Sequence, residues 1–284
     1  MDTLLYEREG ATAVLTLNRP RQRNALDDTL RAALTKALVA ARDDETVKAV
    51  VLTGAGGHFC AGGDVTAMAR QAPDAGPFLS RERMQALQRW FDMLVDLEKP
   101  VIAAVDGAAF GAGLSLALAA DFVLAAPNAI FSAVFSRVGL VPDAGAMYLL
   151  PRAIGLSKAK ELVFTGREVL AQEALELGLA QAVSPSDVRA DALALAARFH
   201  NAPTKAIGMA KAIMNRSFEA ERQAVYAQEA MAQALCRQSA FHAEAVLRFM
   251  ERQAPVWRWE GGGLQDLVAV TGRLQKPGGA TASS

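Results

Sequence analysis

The sequence predicts an α/β fold built from repeated β-β-α units. Three observations carry that expectation. Apolar runs of strand length recur at residues 13–17, 47–53 and 101–105, with helical periodicity between them. Glycine-rich turns follow the second and third runs. From Ser186 onward the pattern is almost wholly helical, so the mixed part precedes a helical part.

Taken in order, residues 13–17 alternate as a strand and stop at Asn18-Arg19-Pro20. Asp27 or Asp28 can cap a helix whose apolar positions include Leu30, Leu34, Leu38 and Val39. Residues 47–53 read as a buried strand ended by Gly54-Ala55-Gly56-Gly57. A polar loop at 71–77 precedes a helix through Met84, Leu87, Phe91, Leu94 and Leu97, which Pro100 ends. Residues 101–105 form the next strand and 114–120 the next helix. Short strands follow at 121–125 and 129–131, then helical patterns at 144–150 and 158–165. Three amphipathic stretches close the sequence, at 190–199, 205–215 and 218–250. Past Gly261 the composition turns to Gly, Ser, Thr and Pro, and 276–284 reads as disordered tail.

Composition narrows the function classes. The chain has 284 residues, 52% hydrophobic and 21% charged, enough to bury a sizeable core. Thirty basic residues balance thirty acidic ones, which argues against nucleic acid as the main partner. Near-neutrality gives little colloidal repulsion and suits an oligomer. Cys60 and Cys236 read as free thiols of a reducing compartment, and the histidines are scattered without metal-ligand spacing. The start, Met-Asp-Thr, lacks the basic-then-apolar order of a signal peptide. The most apolar stretch, 107–120, is glycine-broken and shorter than the about 20 residues a bilayer needs. The expectation is a cytoplasmic protein with no metal and no membrane partner.

The glycine turns are the chemical signal. F-C-A-G-G-D spans residues 59–64 and F-G-A-G spans 110–113. Two such turns converging would present free backbone N–H groups to one anionic oxygen. The second does not complete a dinucleotide fingerprint, because Leu116 stands where the last glycine belongs. Neither turn is followed by G-K-[ST], so a P-loop fails.

An ordered set of motifs resembles the crotonase, or enoyl-CoA hydratase/isomerase, superfamily. It comprises N-R-P-x-x-x-N-A-L (18–26), F-C-A-G-G-D (59–64), D-G-x-A-F-G-A-G (106–113), G-L-V-P-D-A-G (139–145), L-P-R (150–152), F-T-G-R (164–167) and A-L-E-L-G-L (174–179). The resemblance implies a crotonase-like spiral of β-β-α units at 1–200 and a trimer-building α-helical region at 201–260. The trimers would commonly pair into hexamers. It also implies an acyl-CoA substrate, with coenzyme A part of that substrate and no separate cofactor.

By the resemblance, the backbone N–H groups of Gly63 and Ala112 form the oxyanion hole. Hydratases of the family carry glutamates at two further positions, which here hold Ser115 and Phe135. Neither does acid/base work at neutral pH, which argues against ordinary hydration. Asp143, in V-P-D-A-G, supplies a carboxylate where aspartate-bearing isomerases of the family have one. The stretch 131–152 looks most like the ring-opening isomerases of phenylacetate breakdown. One carboxylate can move a proton between two carbons without bound water. A helix N-cap after Pro142 is the structural alternative for Asp143.

The remaining substrate contacts implied are Arg23, Ala25, Ala61, Asp64, Val65, Gly111, Ser115 and Phe135, with Arg252 reaching a neighbouring subunit's CoA. By local chemistry Asp64 reads as structural, bonding nearby amides or capping 65–70. Ser115, in G-L-S-L-A, reads as a packed small residue rather than a nucleophile. Tyr148 reads as pocket lining, core or interface. The favoured activity is an enoyl-CoA isomerase. An enoyl-CoA hydratase, a CoA-thioester hydrolase and a non-catalytic acyl-CoA binder are the alternatives.

Overall fold

Strands β1 (Leu4–Glu9) and β2 (Thr12–Leu17) form an antiparallel hairpin turned at Gly10, whose φ is +59°. β2 then pairs in parallel with β3 (Ala49–Gly54), and β3 with β4 (Val101–Val105). After β5 (Ala108–Phe110), the sheet continues through β6 (Phe122–Ala125). β7 (Ile130–Ser132) and β8 (Glu168–Leu170) join β5 in a second, three-stranded sheet of order β5-β7-β8. β9 (Ala182–Val183) completes the six-stranded sheet, of order β1-β2-β3-β4-β6-β9. The computed structural model describes residues 2–66, 76–260 and 262–266.

The apolar runs are continuous because the parallel strands are buried on both faces. Leu15, Leu17, Val50, Leu52, Val101, Ala103 and Val105 point into the larger core. Their neighbours Val14, Ala49, Val51, Ile102 and Ala104 point into a second core on the other face. This is the two-residue strand period read out as two layers.

Helices cover both faces. α1 (Asp28–Asp43) buries Leu30, Leu34 and Leu38 in the larger core, and Asp27 Oδ1 accepts the Leu30 N–H at 2.8 Å as its N-cap. α2 (Gly76–Val95) adds Leu87, Phe91 and Leu94. α3 (Ala112–Leu118), α4 (Ala146–Ile154), α5 (Leu156–Thr165) and α6 (Ala171–Leu177) complete that layer. α7 (Val188–Ala197) covers the second core with Val188, Ala192, Leu195 and Ala196. α8 (Thr204–Arg216) is anchored by Lys211, whose Nζ donates to Asp121 Oδ2 at 2.8 Å.

The structure departs from the sequence reading at several points. The amphipathic stretch 218–250 is not one helix. It divides into α9 (Arg222–Arg237) and α10 (Ala240–Met250), with Ser239 Oγ accepting the His242 N–H at 3.2 Å to start the second. The helix placed at 144–150 begins at Ala146, after two left-handed residues, Ala144 and Gly145. Gly76 and Pro77, placed in a loop, open α2, while residues 71–75 lie outside the described residues. The tail at 276–284 also lies outside them. α9 and α10 bury no residue within the chain, and Met231, Leu235, Phe249 and Met250 stand exposed on them.

Candidate active site

The two glycine turns are locked side by side. Residues 59 and 60 run beside β5: the Cys60 N–H donates to Ala108 O at 2.9 Å, and the Phe110 N–H donates to Cys60 O at 3.0 Å. Two glycines make that approach possible. A Cβ on Gly62 would sit 2.6 Å from Phe110 O, and one on Gly113 would sit 2.1 Å from Cys60 O. Gly62 also has φ +96°, a left-handed conformation that side chains resist.

This packing brings the Gly63 turn beside the start of α3. The Leu26 N–H donates to Gly62 O at 2.7 Å, and the Asp64 N–H to Leu26 O at 3.3 Å. The Gly63 N–H between them takes no acceptor among the described residues. Ala112 is the first residue of α3, where an N–H has no acceptor within the helix. A Cβ on Gly62, next in chain to Gly63, would lie 3.3 Å from Ala112 N. The backbone beside Gly63 therefore lies against the N-terminus of α3.

Residues from the first motif hold the first turn. Asn24 is fully buried and left-handed, with φ +58°. Its Nδ2 donates to Ala55 O at 2.9 Å and His58 O at 2.6 Å, and its Oδ1 accepts the Arg19 N–H at 2.9 Å. The Ala61 N–H donates to Arg23 O at 2.9 Å, which sets Ala61 against the backbone of Arg23, two residues before the buried Ala25. The Arg23 side chain is exposed, and Val65 is exposed at the far end of the turn. Asp64 pairs with Arg19 Nη2 at 3.0 Å, and the same nitrogen lies 3.1 Å from Asp27 Oδ2. Asp64 is thus tied to a guanidinium, a partner the sequence reading did not foresee.

The second half of the site gathers Ser115, Phe135 and Asp143. Phe135 is buried, and its ring lies 3.8 Å from where a Cβ on Gly111 would be. Ser115 has no exposed surface; its Oγ lies 3.0 Å from the carbonyl oxygen of Asp143 and 3.4 Å from that of Gly111. It faces backbone carbonyls rather than open space, which is not the posture of a nucleophile. Asp143 caps no helix, since Gly145 is the N-cap of α4 and makes no side-chain bond. Its Oδ1 is buried without a hydrogen-bond partner. Burial pushes its carboxyl above the usual carboxylate range, and the positive charge of Arg31 offsets part of that rise. A carboxylate held this way is a stronger base than a free one.

Other candidates fall elsewhere. Arg252 is exposed and left-handed just past α10, and makes no ion pair among the described residues. Tyr148 sits on α4, where its hydroxyl bonds Asn215 O at 2.8 Å and Glu219 Oε2 at 2.9 Å under the Arg152 guanidinium. Cys60 is buried and unpaired, and burial pushes its thiol up to about 12, which makes it inert at neutral pH. Sequence reasoning missed Asn24 as the clamp of the first turn and missed the Ser115–Asp143 bond. The N-A-L triplet marked the first, and nothing local marked the second.

Comparison with known proteins places this geometry in context. Residues 7–260 match the family model for enoyl-CoA hydratase/isomerase. The chain is 36% identical over 260 residues to 1,2-epoxyphenylacetyl-CoA isomerase of Escherichia coli, covering 90% of this chain and 98% of that one. It is also 36% identical over 256 residues to the 2,3-dehydroadipyl-CoA hydratase of the same organism, with the same coverage. Among solved structures, an enoyl-CoA hydratase/isomerase from Cupriavidus metallidurans superposes with a TM-score of 0.86 at 38% identity, covering 92% of this chain and 98% of that one.

Proposed function

The chain belongs to the enoyl-CoA hydratase/isomerase family, the crotonase superfamily, and we propose that within it the protein is an isomerase that shifts a double bond of an acyl-CoA thioester. The observation that carries this reading is the acid/base inventory. Asp143 brings a buried, partnerless carboxylate oxygen to the site, while positions 115 and 135 hold a hydroxyl already committed to the backbone and a phenyl ring. The resemblance to a 1,2-epoxyphenylacetyl-CoA isomerase supports it further.

In this reading the thioester oxygen sits between the N–H groups of Gly63 and Ala112. The Asp143 carboxylate takes a proton from the α-carbon of a β,γ-unsaturated thioester. The C–H electron pair becomes part of an enolate, and its negative charge gathers on the oxygen between the two donors. Each such donor is worth about 3–4 kcal/mol of barrier. The protonated Asp143 then returns the proton to the γ-carbon, and the double bond moves to the α,β position. No water is consumed and no electrons are exchanged. Phe135, where a second carboxylate would be needed for hydration, offers no group to activate water.

Arg23 and Arg252 are proposed to meet the CoA phosphates, Arg252 from a neighbouring copy. The exposed Met231, Leu235, Phe249 and Met250 of α9 and α10 support a trimer, in which those faces would be covered. Hydration is the second reading, favoured by the resemblance to a hydratase. Two assays on the pure protein separate them: isomerisation of β,γ-hexenoyl-CoA, followed by absorbance of the conjugated thioester, and hydration of crotonyl-CoA. The isomerase reading expects the first to dominate and Asp143→Asn to lose about 10²–10⁴-fold in kcat while still binding CoA ligands. Unchanged turnover in that variant would sink the assignment of Asp143.

A further inference from the structure

We propose that Ser115 is a positioning residue, holding the backbone of Asp143 against the helix that begins with the oxyanion donor Ala112. The inference rests on the reading of Asp143 as the base. Ser115 is the fourth residue of α3, about 4.5 Å along the helix axis from Ala112. A buried serine in a helix commonly donates to the carbonyl four residues back. Here that carbonyl, of Gly111, is 3.4 Å away, and the shorter contact of 3.0 Å goes across to Asp143 O.

The receiving loop needs such a hold. Directly after Asp143, Ala144 has φ +50° and Gly145 has φ +78°. Left-handed alanine is disfavoured and persists where its surroundings over-determine it. Ala144 is 1% exposed, so packing fixes one side of it. The Asp143 carbonyl is fixed twice, by the Ala146 N–H at 3.0 Å and by the Ser115 hydroxyl. Holding that carbonyl restrains the peptide plane between Asp143 and Ala144, and with it the backbone from which the Asp143 side chain departs. On the carboxylate itself, Oδ1 has no hydrogen-bond partner. One hydroxyl therefore ties the group that moves the proton to the helix that holds the oxygen.

The test is a double-mutant cycle with Ser115→Ala and Asp143→Asn, read with β,γ-hexenoyl-CoA as substrate. Ser115→Ala is expected to lower kcat by about tenfold or more with KM changed less than about twofold, because binding is untouched while the base is misaimed. The double variant is expected to be no slower than Asp143→Asn alone, since there is no base left to aim. Ser115→Thr, which keeps the hydroxyl, is expected to recover most of the lost rate. Wild-type kcat in Ser115→Ala overturns the inference, as does a full additional loss in the double variant, which would mark a purely structural role. If Asp143→Asn alone keeps wild-type turnover, the base assignment falls and this inference with it. If Asp143→Asn is inactive and Ser115→Ala is not impaired, only the role of Ser115 falls.

Discussion

Replacing Gly113 by alanine tests the interlock of the two turns. The added Cβ would lie 2.1 Å from Cys60 O, 2.8 Å from Cys60 C and 2.9 Å from Cys60 Cβ, whereas ordinary contact begins at 3.4 Å. None of those atoms is the loose end of a side chain. The turns must part by roughly 1.3 Å to admit the methyl group. Helix propensity pulls the other way, since alanine is favoured over glycine by about 1 kcal/mol inside a helix. Overpacking costs about 1–3 kcal/mol, and because the atoms met are rigid backbone the net loss of stability is expected toward the upper end, about 2 kcal/mol or more. The rate falls as well. Ala112 precedes Gly113, and Gly63 lies three residues beyond Cys60, so parting the turns pulls the two donors apart. A displacement of about 1 Å in a preorganised site costs about 10²-fold. Gly113→Ala is therefore expected to fold, to melt a few degrees lower, and to lose about a hundredfold in kcat on β,γ-hexenoyl-CoA. A folded variant with kcat within about threefold of wild type would refute the claim that this contact sets the donor geometry.

Two further outcomes follow from the same packing. Asn24→Ala removes the side chain that serves Ala55 O, His58 O and the Arg19 N–H, leaving three partly buried backbone groups without it. Urea melts are expected to show a loss of about 2–4 kcal/mol. Asp143→Asn is expected to raise the melting temperature at neutral pH. The folded-state pKa of Asp143 is raised by burial, so the folded protein binds the proton more tightly than the unfolded chain. Stability linked to this group is therefore highest below the unfolded-state pKa and falls as pH rises through the window up to the folded one. Asparagine carries no such loss, so the gap between variant and wild type is expected to close as pH drops toward 4 or so, the ordinary aspartate value. A gap that is constant with pH would show that charge burial at Asp143 is not its source.

The sequence made the long, doubly buried elements legible and only some of the short ones, β6 and β7 among them. β2, β3 and β4 are apolar on both faces, and α1 and α2 repeat their leucines at helical spacing, so burial wrote itself into composition. The apolar β7 is expected one residue early, at 129–131, whereas β5 and β8 have three residues each and β9 has two, too few to carry a period. Their existence depends on partners distant in the chain. β1 escaped notice because five of its six residues are exposed, and only its register with β2 makes it a strand. The proposed donor half of the site was readable because glycine is demanded by close backbone approach at Gly62 and Gly113. The basic half was only partly readable. V-P-D-A-G names Asp143, but its environment comes from Ser115 on another helix and from a left-handed Ala144, which no local pattern announces.

Helices α9 and α10 bury no residue of their own. Under the trimer proposed above, part of each subunit's folding free energy then resides in its neighbours. Such a protein has no single intrinsic melting temperature. Its midpoint climbs with concentration, as mass action requires when assembly and folding are linked. Dilution would loosen α9 and α10, and with them Arg252, before it reached the interlocked turns. Ligand affinity and catalytic competence would then fade at different concentrations.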